Sequence, residues 1–357
     1  MIVRNAFASV VRIVLVAVAL IFSPPKAGNA MVDTRNANYY ESWTDVTEKL
    51  GVDVVRTYNS RSLFDGMFGF GWCSDFETSV YLNDQGSYQL SFCGAGLSVE
   101  FAPRQLGEAR GRVQTAEDGS TLEIENQQFL YRSADGKKTF HFDRMGQLSA
   151  IETPGFGTVR IVRRYGMIAE VFDWEGRVYR FSTNSARKVV RIRTPDGLQI
   201  EYLHNQNGEL TSVKNVWNNV YTYSYNDLKN LVRATWPDAT FIEIEYNREK
   251  DWVIGFVDRD QCKETYEYKK GPRAGVIYWS SMVKRCKEKL VAEGLDEFVF
   301  TGDSSLEPER LWKLRESAGL TGPGGVHFKE TIYPKIGPPT VRQETRDSLH
   351  TPLLIQQ

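Results

Sequence analysis

Between Asp135 and Lys270 the sequence repeats itself about every twenty-one residues, roughly seven times over. Turn-like positions fall at Gly136, Gly157, Gly176, Gly197, Asn219, Ala239 and Gln261, in steps of 21, 19, 21, 22, 20 and 22 residues. Five to seven residues after each turn stands an anchor, usually aromatic: Phe142, Arg163, Phe181, His204, Tyr225, Tyr246 and Tyr268. The spacing persists where the glycine is lost.

Between turn and anchor, apolar and polar residues alternate, as in Leu198-Gln199-Ile200-Glu201-Tyr202 and Ile242-Glu243-Ile244-Glu245-Tyr246. Period two is the mark of a strand with one wet face. A second polar turn follows each anchor (Asp143-Arg144-Met145-Gly146; Asn205-Gln206-Asn207-Gly208), and a short strand returns through Leu148 or Leu210. Each repeat is therefore a hairpin, with Pro195-Asp196-Gly197 and Ala134-Asp135-Gly136 as strong turn signals. The expected fold is all-β, a curled antiparallel ribbon of about fourteen strands. Similar texture from Val80 to Tyr131 starts the sheet before the clean repeats.

Upstream, Tyr58-Asn59-Ser60-Arg61-Ser62, Gly69-Phe70-Gly71-Trp72 and Asp75-Phe76 resemble the opening domain of bacterial RHS-repeat proteins. The hairpins resemble that family's YD repeats, through Phe142-Asp143 with Gly146 and Leu148, and Tyr225-Asn226 with Leu231. The resemblance covers roughly residues 40 to 270. It implies export and a partial shell of hairpins; family members include secreted and surface proteins and the shells of toxin complexes. Seven clear repeats are fewer than a full shell uses. No aspartate-rich self-cleavage signature and no recognisable toxin domain follow them.

The first thirty residues carry Arg4 and Arg12, an apolar run Ile13 to Phe22, and the small-residue stretch Ala27-Gly28-Asn29-Ala30. Ten apolar residues are too few to span a bilayer and match a secretory signal peptide, so the chain is expected to be secreted, periplasmic or on the cell surface. The expected division is 1–30 signal peptide, 31–101 RHS-type N-terminal domain, 102–270 hairpin region and 271–357 C-terminal region. Export permits disulfides, and four cysteines form two sequence-local pairs, Cys73 with Cys93 and Cys262 with Cys286. Four cysteines allow three connectivities; local pairing is the expectation.

The C-terminal region is expected to be irregular and partly helical. Ser280 to Ala292 fits a helix stopped by Gly294 or a further hairpin ending at Phe298-Val299-Phe300. Leu306 to Ala318 reads as a helix capped by Ser305, with Leu311, Trp312 and Leu314 on its apolar side. From Gly319 the tail reads as extended and partly disordered.

Forty-four Lys and Arg against forty-five Asp and Glu leave a net charge of −1, which argues against a nucleic-acid partner. Residues 160 to 193 are locally basic, with Arg160, Arg163, Arg164, Arg177, Arg180, Arg187, Lys188, Arg191 and Arg193 against Glu170, Asp173 and Glu175, or nine minus three. With Trp174 and Trp217 near the hairpin tips, Arg160, Arg163, Arg177, Arg180, Arg191 and Arg193 are candidate contacts for anionic carbohydrate or a cell-surface partner. A solvated outer face and tryptophans capping the hairpin core explain the same residues without a ligand.

No nucleophile elbow, zinc helix, phosphate loop or paired-cysteine metal spacing occurs. His141, His204, His327 and His350 stand apart from acids and thiols at motif spacing, and turn chemistry accounts for Asp135, Asp196, Asp258 and Asp260. No catalytic residue, metal or cofactor is expected. The leading expectation is an exported, non-enzymatic binding or adhesion module using the ribbon's outer or concave surface. The alternative is a structural shell fragment that pairs edge to edge with a partner or copy and shields its C-terminal segment.

Overall fold

The computed structural model describes residues 31–46, 52–84, 86–92, 97–101, 113–116, 118–125, 128–270, 277–301, 310–318, 326–332 and 340–346. The expected signal peptide and Cys93 lie outside them. Among the described residues no helix is long and apolar enough to cross a membrane.

Among the described residues the hairpins join into one antiparallel sheet of 21 strands, paired strictly in sequence order from Val113–Thr115 to Thr340–Arg346. Residues before it form separate small sheets: one of four strands, one of two, and a three-stranded meander, Ser79–Leu82, Tyr88–Phe92 and Leu97–Phe101. The sheet upstream of the repeats therefore belongs in part to this N-terminal unit, hereafter the plug, and touches the ribbon through the bridge Ser79 to Gln147.

Turn chemistry sets the ribbon's beat. Turns start at Asp173, Asn184, Thr194, Asn205, Asn215, Asn226, Trp236, Asn247 and Asp258, ten or eleven residues apart. In most of them an Asn or Asp side chain accepts the N–H groups two and four residues on, as Asp143 does from Met145 and Gln147 at 2.9 Å and Asn226 from Leu228 and Asn230 at 3.0 and 2.9 Å. The fourth residue then takes positive φ, so glycine is favoured but not required: Lys229, Ala239 and Gln261 hold φ of 65°, 65° and 62°. The sequence placed one such position at Asn219; the left-handed residue is Asn218, φ 64°.

The anchors are explained by a second irregularity. Register shifts fall at His141/Phe142, Val162/Arg163, Ser182/Thr183, Leu203/His204, Ser224/Tyr225 and Glu245/Tyr246. Each is a β-bulge, which re-aims one side chain and frees backbone groups from the ladder. In the third repeat Thr183, not Phe181, holds this place; Phe181 is an ordinary core residue. Several anchors reach back to a carbonyl fifteen residues earlier: Arg163 to Leu148, Tyr225 to Leu210 at 2.8 Å and Tyr246 to Leu231 at 3.0 Å.

The sheet continues past Lys270. Ser280 to Ala292 takes the hairpin alternative, Ile277–Cys286 against Lys289–Thr301, with Gly294 inside a strand opposite Met282. The expected helix Leu306 to Ala318 is corrected: residues 306–309 lie outside the described residues, and Arg310–Ala318 is a strand. Its neighbours on both sides supply a full ladder, Glu297 opposite Arg315 and Glu316 opposite Lys329, and that pairing outweighs local helix propensity. The tail is likewise structured where described, as Val326–Ile332 and Thr340–Arg346. The only helical element among the described residues is a 3-10 turn at Asp75–Glu77.

Cys262 and Cys286 form a disulfide at the foot of the long hairpin Lys263–Lys270 with Ile277–Cys286. Cys73 is also disulfide-bonded.

Candidate functional site

Two places stand out: the seam between plug and ribbon, which concentrates buried charge, and an open chamber beyond it under the last strands.

The seam is built on the bulges. Leu148, Val189, Leu231 and Val253 stand opposite the bulged anchors, and their N–H groups turn to the plug. Leu148 donates to the carbonyl of Thr78 (3.3 Å), Val189 to that of Met67 (2.8 Å) and Val253 to that of Ala37 (3.1 Å), while Leu231 donates to the Tyr58 hydroxyl (2.8 Å). As the ribbon advances from 148 to 253, the plug residue falls from 78 to 37. Along these backbone contacts the two segments run in opposite senses, and the plug's aromatic side chains fill the ribbon's inner face, Phe68 against Tyr202 and Trp72 against Tyr223.

At the centre of this seam lies an ion pair. The plug strand Asn38–Val46 buries Tyr39, Glu41, Trp43 and Asp45 on one face, so two carboxylates sit in the apolar phase of an alternating strand. Arg56 Nε donates to both Asp45 oxygens at 3.0 and 2.8 Å, with side-chain exposures of 1% and 5%. The ribbon completes it: Tyr202 donates to Asp45 at 2.8 Å, Arg56 donates to the Tyr223 hydroxyl at 2.8 Å, and the guanidinium lies over Trp72 at 4.9 Å. Burial alone would loosen the Arg56 proton, but Asp45 holds it more firmly than usual. Nearby, burial raises the Glu41 carboxyl to about 8 and the Glu77 carboxyl to about 7, although Glu41 accepts from Tyr39 and Glu77 from the N–H groups of Met67 and Ser74. At its upper end the seam holds Lys188, buried and 2.5 Å from Asp65. Sequence reasoning missed this cluster; charged residues in the buried phase of Asn38–Val46 were its signal.

The basic stretch divides. Arg163 turns inward and donates to the Phe76 carbonyl at 2.8 Å, so it and Lys188 bind the plug rather than face solvent. Arg160, Arg180, Arg191 and Arg193 are exposed on the outer face. Arg180 lies 3.6 Å from Glu170, Arg191 3.7 Å from Glu201, and Arg160 covers the Phe172 ring. Arg177 is engaged by Asp173 at 2.7 Å. Arg180 and Arg193 are direct cross-strand neighbours, and Glu170 and Glu201 offset part of the charge around them. Trp174 is half-buried, packed over Gly157 at a hairpin tip, and Trp217 is 54% exposed at another tip of the same rim.

The chamber, about 800 Å³, opens where the ribbon outruns the plug. Tyr39, Phe256, Tyr266, Met282 and Phe328 give it apolar walls, and Glu264, Glu293, Asp296 and Glu316 give it carboxylates. Thr34 of the plug closes one side by donating to Asp296 at 2.6 Å. Among the described residues no group of side chains could hold a metal ion.

The geometry thus defines a class: a plugged, open antiparallel β ribbon. A family described as a domain of unknown function (DUF6531) matches residues 29–101, the plug itself. No curated protein matches the sequence. Solved structures similar to this chain include that of TcdB2-TccC3-TEV, 8% identical over 86% of this chain and 23% of that one, with a TM-score of 0.28. Another is the Tc holotoxin pore of Photorhabdus luminescens, 7% identical over 86% of this chain and 22% of that one, also with a TM-score of 0.28. The chain spans less than a quarter of the length of these structures.

Proposed function

We propose that this chain is a structural module: the capped beginning of a β-hairpin shell, which extends by pairing its last strand edge to edge with a strand of a partner or of a second copy. The observation that carries the reading is where the plug ends. It fills the concave face as far as Phe256 and Tyr266, and the strands beyond run past it around open space. The part of the concave surface occupied by Trp43, Trp72 and Arg56 is not free for a ligand, which favours the shell reading over adhesion through that part.

The edge supports the same reading. Among the described residues Thr340–Arg346 pairs with Val326–Ile332 on one side only, and an unpaired strand edge is a template for another chain. The resemblance of the sequence to RHS-repeat proteins agrees with a shell-building role.

Sedimentation velocity over a concentration series tests the proposal. Alternate residues of an edge strand point their N–H outward, so of Arg342→Pro and Gln343→Pro the one at the outward position blocks pairing while sparing the internal ladder, and the other serves as the comparison. Association that one of these variants abolishes, with unchanged circular dichroism, supports the reading. A monomer at all concentrations that also captures no strand-bearing partner from its native source, or association indifferent to both prolines, overturns it.

A further inference from the structure

We infer that the outer face of the ribbon between Gly157 and Lys214 is a docking surface for an acidic polysaccharide, a linear polymer bearing sulfate or carboxylate groups, held by Arg160, Arg180, Arg191 and Arg193. The surface lies on the wall, on the opposite side of the sheet from the plug, and needs no assembly into a shell.

Strand register fixes which charges share this face. Glu170, Arg180, Arg193 and Gln199 are successive cross-strand neighbours, and so are Arg191, Glu201 and Lys214. Directly paired residues project from the same side of a sheet, and the other side here is taken by Ile161, Val171, Tyr179, Ile192 and Ile200, all buried. With the exposed Arg160 and Arg164 of the strand Gly157–Arg164, the outer side of these strands carries six cations against Glu170 and Glu201, a balance of six minus two, or four positive charges.

The two acids are outnumbered, and each is divided. Glu170 lies 3.5 Å from Arg164 and 3.6 Å from Arg180, and Glu201 lies 3.7 Å from Arg191 and 4.0 Å from Lys214. All four separations exceed a hydrogen bond. Arg193 has no ion pair among the described residues, and Arg160 rests over the Phe172 ring at 5.0 Å. Farther along the same face the pattern differs: Arg233 is matched by Glu243 at 2.8 Å. Arg180 and Arg193 also stand directly opposite each other, an arrangement of like charges that destabilises a sheet. An oxyanion seated between the two guanidinium groups removes that repulsion and takes up forked donors that the protein's own acids leave open.

The layout selects the partner. Neighbouring strands lie about 5 Å apart, so the positive charge runs in line across six strands for roughly 25 Å, a track for an extended chain with a charge on each unit. Carboxylates bound the track on both flanks, Glu152 on the side of the earlier strands and Glu243 and Glu245 on that of the later ones. A narrow polymer can cross the track and leave the surface at its ends, whereas a flat anionic bilayer laid against the wall meets those acids as well.

Isothermal titration of the full chain at two salt concentrations tests the inference, with a heparin hexasaccharide as the sulfated probe and hexagalacturonate as the carboxylate probe. Saturable binding of at least one of them is expected, weakened by salt because exposed charges are screened, and weakened about tenfold by the double change Arg180→Ser with Arg193→Ser. Arg233→Ser, on the same face but matched by its own acid, is expected to leave binding unchanged. The urea midpoint of the double variant should equal or exceed that of the parent, since one like-charge contact is gone. Any of five outcomes would overturn the inference: no saturable binding of either hexasaccharide, binding indifferent to the double change, an equal loss with Arg233→Ser, a clearly lowered urea midpoint in the double variant, or tighter binding of phosphatidylglycerol vesicles or of a DNA duplex than of both sugars.

Discussion

The Tyr202 hydroxyl, on the ribbon, donates a hydrogen bond at 2.8 Å to Asp45, on the plug, 157 residues earlier in the chain. It crosses the seam at the point where Asp45 also holds Arg56, so the buried charge pair belongs to both halves of the molecule.

Removing one partner of such a pair leaves the other charge buried and unmatched. Asp45→Ala is expected to cost about 3–5 kcal/mol in urea denaturation. The double change Asp45→Leu with Arg56→Met should recover much of that loss. A single variant costing under about 1 kcal/mol would show the seam to be wetter than described.

Two turn glycines separate backbone strain from packing. Gly136 and Gly146 have φ of 67° and 71°, but a Cβ on Gly136 meets nothing within 4 Å, whereas one on Gly146 would lie 1.8 Å from the Val80 carbonyl oxygen. Gly136→Ala should cost about 1 kcal/mol, the left-handed penalty alone. Gly146→Ala should cost clearly more and expose the meander Ser79–Leu82 to faster hydrogen exchange. Equal effects would mean that the plug does not press on this turn.

The two buried carboxyls make stability depend on pH in an unusual direction. Glu41 and Glu77 hold their protons to about 8 and about 7, against an ordinary 4.5, so between these values the folded chain binds more protons than the unfolded one. Their contribution is full below about pH 4.5 and is lost as pH rises through 7 and 8. Asp135, held at about 2 by the Lys137 N–H and the Ser133 hydroxyl, acts oppositely at lower pH. Thermal melts should therefore show highest stability on the acid side of neutrality, and Glu41→Gln should flatten the upper part of the fall. A melting temperature that climbs steadily from pH 5 to pH 8 would contradict this.

Cys262 and Cys286 are separated by 24 residues. Replacing both with serine should cost roughly 3–4 kcal/mol by loop-closure entropy. Hydrogen exchange should rise in Ile277–Thr301 and stay unchanged around Val189, where the plug holds the ribbon. Uniform loosening would show that the last strands support the seam rather than extend from it.

The ribbon was legible because turn chemistry is written in side chains: Asn or Asp at the first turn position and a left-handed tolerance at the fourth. Less legible were the bulges, since a register shift leaves only the anchor as its trace; Arg163 reads as an anchor from its spacing, but its hold on the Phe76 carbonyl of the plug leaves no mark in the sequence. The seam was hidden for a deeper reason. Its bonds at Leu148, Val189 and Val253 join main-chain atoms, which every sequence possesses equally. Leu306 to Ala318 failed where local spacing suits a helix but two flanking strands supply a ladder.

The opposed running of plug and ribbon carries a consequence for assembly. Contacts from Thr78 to Leu148, Met67 to Val189, Tyr58 to Leu231 and Thr34 to Asp296 span ever longer stretches of chain, the last of them 262 residues. Short loops close at lower entropic cost than long ones. Closure should thus travel like a zip fastener from the later part of the plug back to its earliest described residues.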